Sequence, residues 1–246
     1  MDKSEYKNIF DQEGTYWWYK GLHSLVKDIL DRRSSGKNIL ILDAGCGTGG
    51  LIHYLHKHNY TNIEGVDFSE DAITYCRQRG LLDCSKKDLN TWAPVKKYDV
   101  IISLDVLYHE KIESDLEVLT MFNRALNTNG ILILNLPAFD CLKRKHDEIV
   151  QAKKRYTTKK IKGLAEESAF EVLSARYRLP LLFLFIILHK YWGKISHSKN
   201  SSDLKEISHT MNRILEKMVL FENKLLLNDI HFGFGSSVIS VLRKMK

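Results

Sequence analysis

Little in this chain points to cross-links, metal or export. Its four cysteines, Cys46, Cys76, Cys84 and Cys141, form no C-x-x-C pair, and the opening MDKSEYKNIF has no apolar stretch of the kind that directs secretion. A disulfide frame is not indicated, and a reducing cytoplasm is the expected compartment. The ten histidines show no H-E-x-x-H or similar spacing, and His53 and His56 share a helix face without a third ligand nearby in sequence. No metal is expected. No Pro/Gly/Ser linker splits the chain, and no segment repeats. The longest apolar run, LPLLFLFIIL at 179–188, has ten residues, against about 20 for a bilayer.

What remains is enough apolar sequence for one core. At 246 residues and 44% hydrophobic, the chain reads as a single domain. Its core is expected at 20–178 and 233–246, with an N-terminal cap at 1–19 and a helical insertion at 179–232. The net charge of +7 has an address: residues 143–162 hold nine Lys or Arg against Asp147 and Glu148, so the rest is neutral in sum. A solvated face is the commoner meaning of such a run; RNA, a phosphorylated substrate or an anionic membrane surface are the functional ones.

The stretch ILDAGCGTGG at 41–50 carries the most information. Ile39 to Leu42 reads as a buried strand, and Gly45, Gly47 and Gly49 allow a turn whose backbone a ligand can approach. Leu51, Ile52, Tyr54 and Leu55 then keep helical spacing, so free N–H groups at a helix start face an incoming anion. Gly45, Gly47 and Gly50 also satisfy the dinucleotide fingerprint. Asp43 separates the two readings, because its charge repels a pyrophosphate and suits a cationic sulfonium nucleoside with an ammonium group. Asp67 ends a second strand about 20 residues past the glycines, where a carboxylate can accept both ribose hydroxyls; the plainer reading makes it a helix cap before Ser69. Asp88 and Leu89 follow a third strand near 81–85, placed to receive an adenine amino group and cover the ring.

Strands and helices alternate from there. Tyr19, Leu22, Leu25, Val26, Ile29 and Leu30 mark a helix leading into the first strand. Further strands are expected at 63–67, 100–104 and 131–136, with a helix through Ile112, Leu116, Leu119, Phe122 and Leu126 before the last of them. Such alternation argues a parallel sheet covered on both faces. Thr157 or Thr158 should cap the next helix, which delivers a sixth strand at 170–177.

At this point the chain resembles the class I S-adenosylmethionine-dependent methyltransferases, in their broad small-molecule branch. YDVIISLDVLYHE at 98–110 looks like the family's fourth strand and the motif after it. ALNTNGILILNLPAF at 125–139 looks like its helix end, glycine turn and fifth strand. HDEIVQAKKRYTTKKI at 146–161 and the aromatic entry TYWWYKGL are similar to segments of one branch. The matches run in family order over about four-fifths of the chain. The resemblance implies a Rossmann-like, doubly wound α/β sheet of seven strands, mostly parallel with the last antiparallel. It implies S-adenosylmethionine as cofactor and S-adenosylhomocysteine as product, and it adds Cys46, Phe68 and Leu104 to the contacts expected of Asp43, Gly45, Gly47, Gly49, Asp67, Asp88 and Leu89. The ubiquinone-biosynthesis O-methyltransferases, a similar group, hold a divalent metal with acids in this loop. Tyr108 stands here in place of one acid.

In the family the closing strand, here within 235–244, follows the sixth by a short turn. About 55 residues intervene instead, well beyond ordinary loop length. Because parallel strands exit where an open α/β sheet binds its ligand, this insertion and the basic segment both begin over the site. With the N-terminal aromatics they would make a lid that excludes water. The run at 179–188 reads as a buried lid helix, a pocket wall for a greasy substrate or a membrane-resting patch. Leu204, Ile207, Met211, Ile214, Leu215, Met218, Phe221 and Leu225 read as the packing stripe of one long helix.

Methyl transfer needs an in-line arrangement and, for a hydroxyl or ammonium acceptor, a proton sink. His109 is the candidate base, with a capping or packing histidine as the plainer alternative. Asp105 would orient it, and Tyr108 would orient or touch substrate. Tyr16, Trp17, Trp18 and Tyr19 offer either a hydrophobic staple or an aromatic cap for a cation, the first three as candidate substrate contacts. His146, Arg155 and Tyr156 are candidates for binding an anionic acceptor. The expected function is methyl transfer to O or N of a small hydrophobic or anionic acceptor, with lipid- and carrier-linked acceptors included. Two alternatives stand beside it: a tRNA or other RNA methyltransferase using the basic segment, and a non-catalytic subunit held peripherally at the inner membrane face.

Overall fold

The computed structural model describes residues 3–34, 36–143, 147, 151–192 and 207–245. Seven strands form one sheet: β1 (Ile41–Ala44), β2 (Ile63–Asp67), β3 (Cys84–Lys86), β4 (Tyr98–Leu104), β5 (Leu126–Pro137), β6 (Phe170–Arg178) and β7 (Ser237–Lys244). Their order is β3-β2-β1-β4-β5-β7-β6, and only β7 runs antiparallel to its neighbours. The α/β architecture implied by the resemblance is therefore present, including the reversed last strand.

Alternation along the central strands divides the core in two. Ile41, Val100 and Ile102 face one apolar cluster, whereas Leu42 and Ile101 face the other, as the period of two requires. The first cluster is closed by α2 (Trp17–Arg33), α3 (Gly50–His56) and α4 (Glu70–Gln78) through residues such as Leu25, Ile52 and Ile73. The second is closed by α5 (Asp115–Ala125) and α6 (Thr158–Glu167) through Val118, Phe122 and Ile161. Polar caps fix where the helices begin: Ser69, Ser114 and Thr157 accept the backbone N–H three residues on, at 3.4, 3.2 and 3.2 Å. Each such cap is worth about 1 kcal/mol.

Some elements depart from the sequence reading. A helix, α1 (Lys3–Gln12), precedes the aromatic cluster, where the pattern suggests only a cap. The third strand is Cys84–Lys86 because Gly80, at φ 77°, ends α4 and turns Leu81 back into the core. The β5 ladder starts at Leu126 and shifts register before Ile131, with Asn129 at φ 62° absorbing the irregularity.

Among its described residues, the long connection between β6 and β7 holds two helices, α7 (Pro180–Trp192) and α8 (His209–Leu227). Neither they nor any other described helix is long and apolar enough to cross a membrane. The apolar stripe read on α8 is divided: Ile207, Leu215 and Met218 are partly buried and pack with Trp17, Leu179 and Val219, whereas Met211, Ile214 and Phe221 are exposed. Leu204 lies outside the described residues. The most buried face, Val219, Glu222, Asn223 and Leu226, is set by contact with α2. Gly21 lets α8 approach closely, since a Cβ there would meet Val219 Cγ1 at 2.3 Å, and Asn223 Nδ2 donates to Gly21 O at 2.7 Å. Nor is α7 wholly buried, for Leu181, Leu184, Phe185 and Leu188 present an exposed face.

Candidate active site

Three carboxylates stand at the carboxyl ends of β1, β2 and β4. Asp43 is 3% exposed. Burial, then repulsion from the Cys84 thiol, Asp67 and Glu13, pushes its pKa well up, and no described group donates a hydrogen bond to it. Asp67 accepts the Gly47 N–H at 3.0 Å through one oxygen and the Ser69 N–H at 2.9 Å through the other. Each oxygen keeps a second lone pair, and the helix cap itself is Ser69. At Gly47, with φ 53°, a Cβ would point into open space, so this part of the turn is bare toward the cleft. Asp88 is exposed and folds back on Asn90, accepting from its N–H at 3.0 Å and its Nδ2 at 2.8 Å; Leu89 is buried.

The N-terminal residues strap this loop. Glu13 accepts from the Thr48 hydroxyl and the Gly50 N–H and pairs with Arg79. Arg79 also donates to Thr48 O at 2.9 Å and Phe10 O at 3.0 Å. A side chain at Gly50 would strike the Glu13 carboxylate. Tyr6 lies beside Asp67, which together with burial raises its hydroxyl to about 12.

The loop after β4 gathers Asp105, Tyr108 and His109. Asp105 takes φ 57°, bonds its N–H to Asn135 O at 2.8 Å and accepts Asn135 Nδ2 at 3.0 Å. Burial raises it to about 7, against the pull of Asn135, Arg178 and Arg155. Tyr19 of α2 lies within electrostatic reach of Asp105 and Tyr108. Trp17 packs with Leu179 and Val219, and Tyr16 and Trp18 lie partly buried against that cluster. His109 packs on Phe68 with ring centroids 5.7 Å apart. Its Nδ1 accepts the Lys111 N–H at 3.2 Å, which puts the ring proton on Nε2, and Nε2 is buried without a partner. Burial lowers its pKa, which favours the neutral ring with an unused N–H.

The family described as a methyltransferase domain matches residues 35–200. The chain belongs to that methyltransferase family. Among its relatives, trans-aconitate 2-methyltransferase of Mycobacterium ulcerans is 34% identical over 92 residues, covering 37% of this chain and 35% of that protein. Malonyl-[acyl-carrier protein] O-methyltransferase of Bacillus cereus is 28% identical, covering 57% and 53%. The chain spans about a third of the length of the first curated relatives it matches. Phosphoethanolamine N-methyltransferase 2 of Haemonchus contortus, solved with phosphomonomethylethanolamine and S-adenosylhomocysteine, superposes with a TM-score of 0.57 at 17% identity, over 89% of this chain and 52% of that one. That likeness is one of fold.

In this member of the family the middle of the basic segment is tied inward. Arg155 forms a fork on Asp147, with two contacts of 2.9 Å, and donates to Ala138 O at 2.9 Å. Tyr156 is fully buried, its hydroxyl 3.0 Å from both Leu107 O and Asp115. Both side chains hold the segment in place and leave little to offer an acceptor. Lys154 pairs with Asp115 at 2.5 Å, and Lys153 reaches Ile112 O. His146 lies outside the described residues.

Two features escape a linear reading. The sulfurs of Cys46, Cys76 and Cys84, distant in sequence, lie within 4.8 Å of one another behind the glycine turn, and hydrogen bonds from the other two lower Cys84 to about 4. Arg178, at the end of β6, is a buried cation that no motif marks.

Proposed function

We propose that this protein transfers the methyl group of S-adenosylmethionine to O or N of a small acceptor. One constellation supports the reading: the unbonded Asp43 carboxylate, the bare turn at Gly47 and the Asp67 carboxylate with its spare lone pairs. These fit the ammonium, the backbone-hugging middle and the ribose diol of that nucleoside. Asp88, through its second oxygen, and Leu89 would meet the adenine, while Cys46, Phe68 and Leu104 line the rest. When bound, the donor supplies a methyl already activated on a cationic sulfur.

The chain's own residues then hold and shield. Tyr19 and Tyr108 bound the cleft beside Asp105, and His109 can donate from Nε2 to an acceptor oxygen. The strap at 3–16 and the two helices at 180–192 and 209–227 act as the cap and lid of a single domain, excluding water from a reaction that water would spoil.

A small acceptor is favoured over RNA because Lys153, Lys154 and Arg155, the middle of the basic segment, are spent on internal partners, although Lys143, Lys159, Lys160 and Lys162 stay exposed. The relatives' names divide: trans-aconitate, malonyl-[acyl-carrier protein] and phosphoethanolamine carry carboxylate or phosphate groups, while two others name a tRNA and a protein lysine. The test is incubation with radiolabelled donor and extract fractionated into lipid, RNA, protein and small-metabolite pools. Label in the small-metabolite pool supports the reading, and label confined to RNA refutes it.

A further inference from the structure

Arg178 is 2% exposed, yet Nε, Nη1 and Nη2 all lack an acceptor among the described residues. Buried polar groups are bonded in more than nine cases in ten, and an unpaired buried cation costs several kcal/mol. Asp105 and Glu222 lie within electrostatic reach of it, but neither bonds to it. Asp105 is bonded to Asn135 instead. Glu222 of α8 accepts the Leu181 N–H at 3.2 Å through Oε1, while its Oε2 meets no donor.

Its place gives this orphan a meaning. Arg178 pairs with Ser237 at the same end of the sheet as Asp105, under Gly21 of α2, where an added Cβ would lie 3.9 Å from Nη2. Other unpartnered atoms, His109 Nε2 and Asn135 Oδ1, occur at that end too. We propose that Arg178 anchors a carboxylate of the methyl acceptor, a step that rests on the methyl-transfer reading above. A guanidinium fork matches the two oxygens of a carboxylate. One carboxylate group brings one negative charge to the single positive one, and in a dicarboxylate such as malonate the second charge sits on a separate group, whereas a phosphate dianion would put both charges at one point beside Asp105 and Glu222.

The protein saturated with S-adenosylhomocysteine is titrated calorimetrically with malonate and, separately, with inorganic phosphate. Malonate should bind, and more tightly than phosphate; Arg178→Gln should weaken it about tenfold or more while S-adenosylhomocysteine affinity stays within about twofold. Glu222→Gln, which removes a competing carboxylate, should tighten malonate; this arm carries the test if the Arg178 variant does not fold. Equal malonate affinity in wild type and Arg178→Gln overturns the proposal. So does absence of malonate binding to a protein that binds S-adenosylhomocysteine, tighter binding of phosphate, or unchanged or weaker malonate binding in Glu222→Gln. Failure to bind S-adenosylhomocysteine at all would strike the donor reading itself.

Discussion

The Asp67 carboxylate accepts the Gly47 N–H at 3.0 Å, so the residue that ends β2 also fixes the middle of the turn after β1. In the proposed function, donor site and loop tether are one group. Asp67→Ala should therefore weaken S-adenosylmethionine about 100-fold and also lower stability by about 1–3 kcal/mol, read by calorimetry and by denaturant unfolding. A variant that loses stability alone would make Asp67 purely structural.

Asp43 presents the opposite balance. Its buried carboxylate has no donor, so Asp43→Asn should raise the melting temperature of the free protein while weakening the donor about tenfold or more. Unaltered donor affinity would remove the ammonium contact from the account.

Arg79 and Glu13 are 14% and 6% exposed as a pair. Removing the cation strands a buried acid, so Arg79→Ala should cost about 3 kcal/mol and free residues 3–16 to proteolysis. A strap that stays protected would argue that the other contacts of α1 hold it.

Asp105 has a folded pKa of about 7, above about 3.9 in an unfolded chain. Folding thus takes up a proton between these values, and the contribution of Asp105 to stability declines as pH rises from about 4 to 7. Asp105→Asn, which imitates the protonated acid, should reduce that slope in melting curves taken from pH 5 to 8. An unchanged slope would place the titration on another buried acid.

His109 carries its proton on Nε2 if Nδ1 accepts from Lys111. Gln puts an amide N–H near the same position, so His109→Gln should keep far more turnover than His109→Ala, with donor affinity alike in both. Equal loss in the two variants would restore a base role for the ring.

The strand, turn and helix that carry the proposed donor site were legible in the sequence because they are local. Ile41 to Gly50 specify strand, turn and helix within ten residues, and the Thr157 cap announces α6. The acceptor side was not. Arg155 draws the eye by lying in a basic run, yet it is spent on Asp147; Arg178 sits in unremarkable sequence and becomes singular only through burial under α2 and α8. The same holds for α8, where polar Glu222 and Asn223 face inward because Leu181 and Gly21 supply backbone partners. An apolar pattern cannot foretell a face buried through hydrogen bonds. Nor could spacing bring together Cys46, Cys76 and Cys84, which meet only once β3 and α4 pack against the turn.

Titration of S-adenosylmethionine into the purified wild-type protein tests the strand-tip site most directly. Saturable one-to-one binding that Asp67→Ala diminishes is the predicted result. A folded protein that releases no heat with this ligand or with its demethylated form would contradict it.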